Sequence, residues 1–422
     1  MSEPGPTSNQ IASTRSTSAT VDEVESTYDA GLTFDKVESK RDFAQFIELP
    51  HRIYAQWPDK YVPPIRQQLS EFWRGEGPYG KQGPFSLHVV RDASGTVVAR
   101  TSLHSNAKFD EKLGRTQQLF GFTEFIDDEN VARFLFDNIN AAAREHDCWG
   151  AFGPAGLLPN QAGGVITSGF DERGFIDSAY NPPYYPAMYE ANGFARRFEA
   201  ATWICEDIQQ RAATDVASEL YNFDDARMAD EQLELHKGSK KRIAEQRPLI
   251  HDMLNASFAQ LGYYTYISLD ELSHQTDGLN FLLDEDLLLY ITRAGEPIAF
   301  VLVIPDISQF VMKVDANLNL PNQIKLLMQR KRYRREAVLI IKGTVPEAQG
   351  KRFMNLLSRE LLAALQRNGY ENLRSTFVEP DNGGSAAQYV KMGGRELHGY
   401  TFYERPLTGK ASTSPEADTH AG

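Results

Sequence analysis

Apolar residues recur along this chain at two spacings. Between positions 43 and 57, Phe43, Phe46, Ile47, Ile53 and Tyr54 fall at helical intervals. Positions 86–90 and 96–103 alternate as strands do around Ser94-Gly95, which reads as a hairpin. A further strand is predicted over 117–126. A helix follows over 130–146, with Val131, Phe134, Leu135, Phe136, Ile139 and Ala142 on its apolar side and Asp127-Asp128-Glu129 at its start. After a short strand at 149–152 comes an irregular stretch, 153–181, with six glycines and two prolines. A short helix over 185–192, stopped by Gly193, and a strand over 200–205 complete the series.

The series then starts again. A strand is expected at 233–237, a helix at 250–261, a hairpin from 287–292 and 298–304, and a strand at 337–345. A helix over 351–368 carries Phe353, Leu356, Leu357, Leu361, Leu362 and Leu365 on one side. A strand at 372–378, a helix at 385–392 and a strand at 396–403 close the second series. The segment 306–336, between hairpin and strand, is longer than its counterpart. Two echoes share one offset of 200 residues. Tyr189-Glu190-Ala191-Asn192-Gly193 recurs as Tyr389-Val390-Lys391-Met392-Gly393, and the turn at Ser94-Gly95 recurs at Ala294-Gly295. So long a period implies two copies of one domain rather than a solenoid.

Composition narrows the class. The chain has 422 residues, enough for two to three domains, with 41% hydrophobic and 24% charged residues, ordinary values for a globular protein. A net charge of −13 opposes nonspecific attraction to nucleic acid or an anionic membrane. Two cysteines, Cys148 and Cys205, make no disulfide framework and no zinc spacing, so buried thiols and no metal are expected. The start lacks the basic and apolar stretches of a leader, and no run of about 18 apolar residues occurs. The expectation is a cytoplasmic protein with no membrane partner; the sequence sets no oligomeric state. Residues 1–29 and 408–422, rich in small and polar residues, are expected to be disordered tails. Between them lie a first domain over 30–215, a linker over 216–230 and a second domain over 231–407.

A strand, helices, a meander, a helix, a strand, a short helix and a last strand, twice over, resemble the GNAT N-acyltransferase superfamily. The resemblance covers both copies. It is carried most specifically by Asn181 and Asn382 ahead of the two Tyr-x-x-x-Gly motifs. The run Phe120-Gly121-Phe122, Gly153-Pro154, Gly169-Phe170-Asp171, Tyr180-Asn181-Pro182-Pro183-Tyr184-Tyr185 and Gly193-Phe194 is similar to a group of uncharacterised bacterial tandem GNAT-like proteins. The fold implied is α/β of the α+β type: two tandem domains, each a mixed, mostly antiparallel sheet flanked by helices.

The resemblance implies an acyl-CoA site, for acetyl-CoA or another acyl-CoA, on backbone N–H groups where the fourth strand turns into the long helix. The family pattern there is Arg/Gln-x-x-Gly-x-Gly/Ala. In the first copy the turn is Asp127-Asp128-Glu129-Asn130. Three carboxylates stand where phosphate would sit, so this copy is expected to be degenerate for the cofactor. In the second copy Thr344, Val345, Gln349, Gly350, Lys351 and Arg352 form the turn. Gln349 fits the pattern, whereas Arg352 and Met354 replace its small residues. The resemblance makes Tyr389 the acid that protonates a departing thiolate and Asn382 an orienting residue. Glu124 and His398 are candidates for the base, and the residues do not choose between them. Asn160, Gln161, Tyr180, Asn181, Tyr184, Tyr185 and Tyr189 are candidate substrate-pocket residues between the copies.

The function expected is acyl transfer from acyl-CoA to the amine of a small molecule. Two alternatives stand beside it. One is a transferase taking its group from aminoacyl-tRNA, with the basic runs at 237–242 and 330–335 meeting the RNA backbone. The other is a non-catalytic binding protein with both sites decayed.

Overall fold

The computed structural model describes residues 31–156, 163–176, 178–211, 223–259, 261–277, 283–376, 378 and 383–407. Their strands are β1 (Thr33–Lys36), β2 (Phe85–Arg91), β3 (Val97–His104), β4 (Gln117–Phe125), β5 (Gly150–Gly153), β6 (Val165–Ile166), β7 (Ala195–Cys205), β8 (Leu233–Lys237), β9 (Leu288–Arg293), β10 (Glu296–Pro305), β11 (Glu336–Thr344), β12 (Asn372–Ser375) and β13 (Arg395–Pro406). They form one sheet in the order β1-β2-β3-β4-β5-β13-β7-β12-β11-β10-β9-β8, with β6 added against β13. Only β4–β5 and β11–β12 run parallel among these pairings.

The centre of this order is crossed. β13, the last strand of the second copy, lies beside β5 of the first, pairing Tyr403 with Gly153. β7, the last strand of the first copy, lies beside β12 of the second, pairing Leu373 with Cys205. β7 and β13 pair antiparallel with each other, and Ala200 stands opposite Tyr400. Those two residues differ by the same 200 positions as the repeat. A pseudo-twofold axis therefore passes through that pair and relates the copies. β7 starts five residues earlier than the periodicity predicts, because β13 gives Ala195, Arg196 and Arg197 partners that a solvent-facing reading does not supply.

The predicted helices follow their apolar stripes. Helix Lys40–Ile53 opens with a capping box between Ser39 and Asp42 and buries Phe46, Leu49 and Ile53. Helix Glu129–Glu145 buries Val131, Leu135, Phe136 and Ile139. Helix Phe353–Arg367 buries all six residues of its predicted side, each worth about 1.5–3 kcal/mol of transfer free energy. The repeated Tyr-x-x-x-Gly also has a backbone reason. Gly193 and Gly393 take φ of 78° and 72° just past their helices, where any other residue costs about 1–2 kcal/mol. The chain then folds back, with Phe194 N–H donating to the Tyr189 carbonyl (3.2 Å) and Gly394 N–H to that of Tyr389 (2.8 Å).

The irregular stretch after β5 is fastened to the second copy. Arg173 pairs with Asp306 (2.9 Å) and with Glu336, Arg374 reaches Glu336 at 3.0 Å, and Ser308 Oγ accepts from Ile176 N–H at 2.8 Å. Asp306 is buried. Desolvation alone would raise its pKa, but the two guanidiniums hold it below the usual carboxylate value.

Removing β13 is expected to open both copies, since it takes β5 and β7 from their partner together. In a chain ending after Gly394, hydrogen exchange should rise by orders of magnitude in β5 of the first copy as well as in the second. Protection of β5 equal to that in the full chain would show that β13 is dispensable to the first copy.

Candidate functional site

Tyr389 sits on helix Gly383–Lys391 and is buried. Its ring stacks on Trp203 with centroids 5.9 Å apart and planes 15° from parallel, so its partner comes from the crossed strand β7. In the first copy Tyr189 likewise stacks on Tyr403 of β13, at 4.6 Å and 12°. Cys205 of β7 is close as well, its Sγ 3.9 Å from the Tyr389 carbonyl. Burial raises the Tyr389 phenol well above its ordinary pKa, and the Ser375 hydroxyl pulls part of the way back. The phenol is protonated at neutral pH and can only give a proton.

A second group stands at the same place. Lys342 Nζ lies 4.1 Å from the centre of the Tyr389 ring. Its surroundings include Val301, Leu339, Met354 and Leu357, which enclose a space of about 10 Å³ beside it. Burial among them lowers the Lys342 amine to about 7. Lys342 is thus an amine able to exchange its proton near neutrality, on the strand that corresponds to the one carrying Glu124 in the first copy. A lysine in an alternating strand reads as an outward polar residue, so no sequence signal singles it out. Behind it, Ser358 donates to Gln388 Oε1 (2.8 Å) and Gln388 donates to Asn355 (2.9 Å), a buried polar ladder tying the two helices around Tyr389.

The two turns above the long helices differ in one atomic detail. In the first copy the Asp128 carboxylate accepts from Asn130 N–H (2.8 Å) and Val131 N–H (3.2 Å). The protein's own anion fills the helix N-terminus. In the second copy helix Phe353–Arg367 has no side-chain cap, and its N-cap residue Arg352 holds φ of 66°. That left-handed geometry is one glycine adopts without strain; here the backbone takes it with arginine in place. Gly350 (φ 75°) and the exposed Lys351 stand beside it. Val345 N–H is already bonded to the Ile298 carbonyl, and Gln349 reaches back to the Thr344 carbonyl at 3.4 Å. Asn382, Asn160 and Gln161 lie outside the described residues.

The remaining candidates sit elsewhere. Glu124 follows a bulge at Phe122 (φ 48°) where β4 parts from β5. Tyr54 and Tyr185 donate to it at 2.8 and 2.7 Å, and Arg100 lies 3.7 Å away. Burial raises its pKa and Arg100 opposes the rise. Its oxygens are already engaged, so it serves as the hub of a buried polar cluster. Tyr184 donates to the Phe125 carbonyl (2.7 Å) and Tyr180 to that of Phe170 (2.7 Å). Asn181 accepts from Ile166 N–H (2.7 Å) and pins β6. These side chains, with Tyr185 and Tyr189, pack as a wall against the first copy's core. His398 lies in the β7–β13 ladder against Thr202 (3.1 Å), and desolvation lowers it to about 4. It is neutral at pH 7, and none of its described contacts reaches Tyr389. A larger open cleft of about 370 Å³ lies in the first copy, lined in part by Phe72, Trp73, Phe85 and His104. Of the basic runs, Arg335 is bound to Glu371 (2.6 Å), Arg334 to Asp284 (3.6 Å), and Tyr333 is buried.

Two measurements check these assignments. Glu124→Gln leaves Arg100 buried without its counter-charge, so urea unfolding should show a loss of about 3 kcal/mol. For Lys342 the folded value, about 7, is below the ordinary 10.5. Between those values the unfolded chain binds more protons, so stability rises with pH through that window. In Lys342→Met that part of the rise between pH 7 and 9 should vanish.

No family model matches the chain. It is 22% identical over 373 residues to Protein YghO of Escherichia coli strain K12, covering 87% of this chain and 94% of the relative. It is also 22% identical over 382 residues to the bacterial ceramide synthase of Caulobacter vibrioides, covering 87% and 95%. Among solved structures, a tandem GNAT protein from the clavulanic acid biosynthesis pathway aligns with a TM-score of 0.55 at 13% identity, over 89% of this chain and 98% of that one. The glucosamine N-acetyltransferase region of a fungal multi-domain beta-N-acetylglucosaminidase aligns at 0.54 and 12% identity, over 88% of this chain and 38% of that longer one. The fold is that of the GNAT acetyltransferases, in the tandem arrangement that one of these neighbours also has.

Proposed function

We propose that this protein is an N-acyltransferase that moves an acyl group, acetyl in the simplest case, from acyl-CoA to an amine, with residues 231–407 carrying the chemistry. The observation behind this reading is the adjacency of Lys342 and Tyr389 where β11 and β12 part, below a helix start with no side-chain cap. Acyl-CoA, when bound, supplies an activated acyl group on a thiol leaving group. The start of helix Phe353–Arg367, which no side chain caps, fits its phosphates together with Lys351 and Arg352, whereas Asp128 closes the equivalent place in the first copy.

The roles of the two side chains follow from their protonation. Lys342, neutral above about pH 7, takes a proton from the nitrogen of the attacking neutral amine as the C–N bond forms. Tyr389, held protonated by burial, gives its proton to the thiolate as the C–S bond breaks. Lys342, 4.1 Å from the ring, then returns its proton to the phenolate, and both groups are reset. Trp203 and Cys205 of the first copy wall this centre, so that copy contributes by shaping it. The relative named as a ceramide synthase supports amide formation, because a ceramide is an amide; it also argues for testing long-chain acyl donors and long-chain amines.

A donor screen read by mass spectrometry, with acyl-CoAs of increasing length beside charged tRNAs, decides the reading. An N-acylated amine formed from acyl-CoA is expected; transfer from aminoacyl-tRNA alone would replace this proposal with the RNA-dependent one. With the productive donor, Tyr389→Phe should lower kcat by roughly a hundredfold or more. Lys342→Met should abolish an activity limb near pH 7, and Lys351→Glu with Arg352→Glu should raise KM for acyl-CoA.

A further inference from the structure

The segment between β10 and β11, longer in the second copy, folds into three short helices: Ser308–Lys313, Leu320–Met328 and Arg330–Tyr333. Their inner sides share a core with Ile65, Phe175, Ile304 and Val338, into which Phe310, Leu326 and Tyr333 are inserted. Helix Leu320–Met328 starts at Asn319, whose side chain accepts from Asn322 N–H. Only one side of it is inserted. Leu326 is 2% exposed, whereas Leu320, Ile324, Leu327 and Met328 are 68%, 50%, 42% and 82% exposed. Positions 320, 324, 327 and 328 fall within an arc of about 100° on a helix. The eight exposed large hydrophobic side chains among the described residues thus place half their number on this one helix.

The charges of the segment divide by pairing. Its three acids have partners: Asp306 pairs with Arg173, Asp315 with Arg66 and His51, and Glu336 with Arg173 and Arg374. Lys325, Arg330, Lys331 and Arg332 are exposed, and no ion pair among the described residues engages them. An apolar stripe flanked by four exposed cations therefore stands on the surface of a chain whose net charge is −13. Uncharged partners give these cations nothing to meet, and a second copy would bring its own cations against them. No helix of the described residues is long and apolar enough to cross a membrane.

We propose that helix Leu320–Met328 and the turn after it are a docking surface for an anionic lipid bilayer. The four apolar side chains enter the boundary between headgroups and acyl chains, and Lys325, Arg330, Lys331 and Arg332 meet lipid phosphates. The contact is peripheral. It stands independently of the acyl-transfer reading, and either can fail alone.

Co-sedimentation of the full chain with vesicles of phosphatidylcholine, with and without phosphatidylglycerol, tests this. Binding is expected only to the vesicles containing phosphatidylglycerol, weakening as salt is raised. Lys331→Glu or Arg332→Glu should each lower it about fivefold or more. Ile324→Glu with Met328→Glu should abolish it while leaving the melting temperature unchanged, since both side chains are exposed. The proposal is overturned if the wild type stays in solution with anionic vesicles, or if the Ile324/Met328 variant binds them as well as the wild type. It is equally overturned if that variant converts a dimer to a monomer in sedimentation, which would make the stripe a contact between copies. Binding to a tRNA probe lost in Lys331→Glu but retained in Met328→Glu, with no vesicle binding, would assign the cations to RNA instead.

Discussion

The antiparallel pairing of β7 with β13 is the constraint on which the rest of this structure depends. Each strand ends one copy in sequence and completes the sheet of the other in space. Neither half therefore has a full set of strand partners of its own: β5 and β12 each pair on one edge within their copy, and the other edge is satisfied across the repeat. The same crossing builds the candidate site. Tyr389 and Tyr189 keep equivalent positions on equivalent helices, yet each stacks on a ring delivered by the other copy's strand.

Within that symmetric frame the copies diverge through a few charges. In the first, Asp128 satisfies its helix start from within, and Glu124, Arg100 and two tyrosines form a closed polar hub. In the second, the helix start has no side-chain cap, the turn is basic, and a half-buried lysine stands on the strand beside Tyr389. A duplicated fold has one half whose helix start is closed by its own carboxylate and one whose helix start carries no side-chain cap, beside a titratable amine. Binding sites need such open places, and stability argues against keeping them in both copies.

Periodicity located the long elements because each buries a continuous stripe. The helices at 130–146 and 351–368 and both hairpins stand within a few residues of their expected places. The order of strands in the sheet was not legible, since the pattern of β7 is the same whichever strand lies beside it. The candidate site was legible in part. Tyr389 was singled out by the repeat, and the contrast between the two turns by their charges. Lys342 stayed hidden because its low pKa arises from residues distant in sequence, Val301 and Met354 among them. The tyrosines at 180, 184 and 185 suggested a pocket because hydroxyls read as available, while in the fold they bond to backbone carbonyls and a carboxylate. The stripe on helix Leu320–Met328 escaped notice because segment 306–336 had no assigned element, and the net charge pointed away from membranes.

The crossing also sets a timetable. β5 ends at Gly153 and its neighbour β13 begins at Arg395, about 240 residues later. At about 5–20 residues per second, a ribosome takes on the order of ten to fifty seconds to deliver the missing strand. Throughout that interval the nascent first copy presents an unpaired sheet edge, open to the edge strands of other chains. An upstream half that waits this long for a downstream strand needs shelter during synthesis, and two chains growing on one messenger have the means to close each other's sheets by mistake.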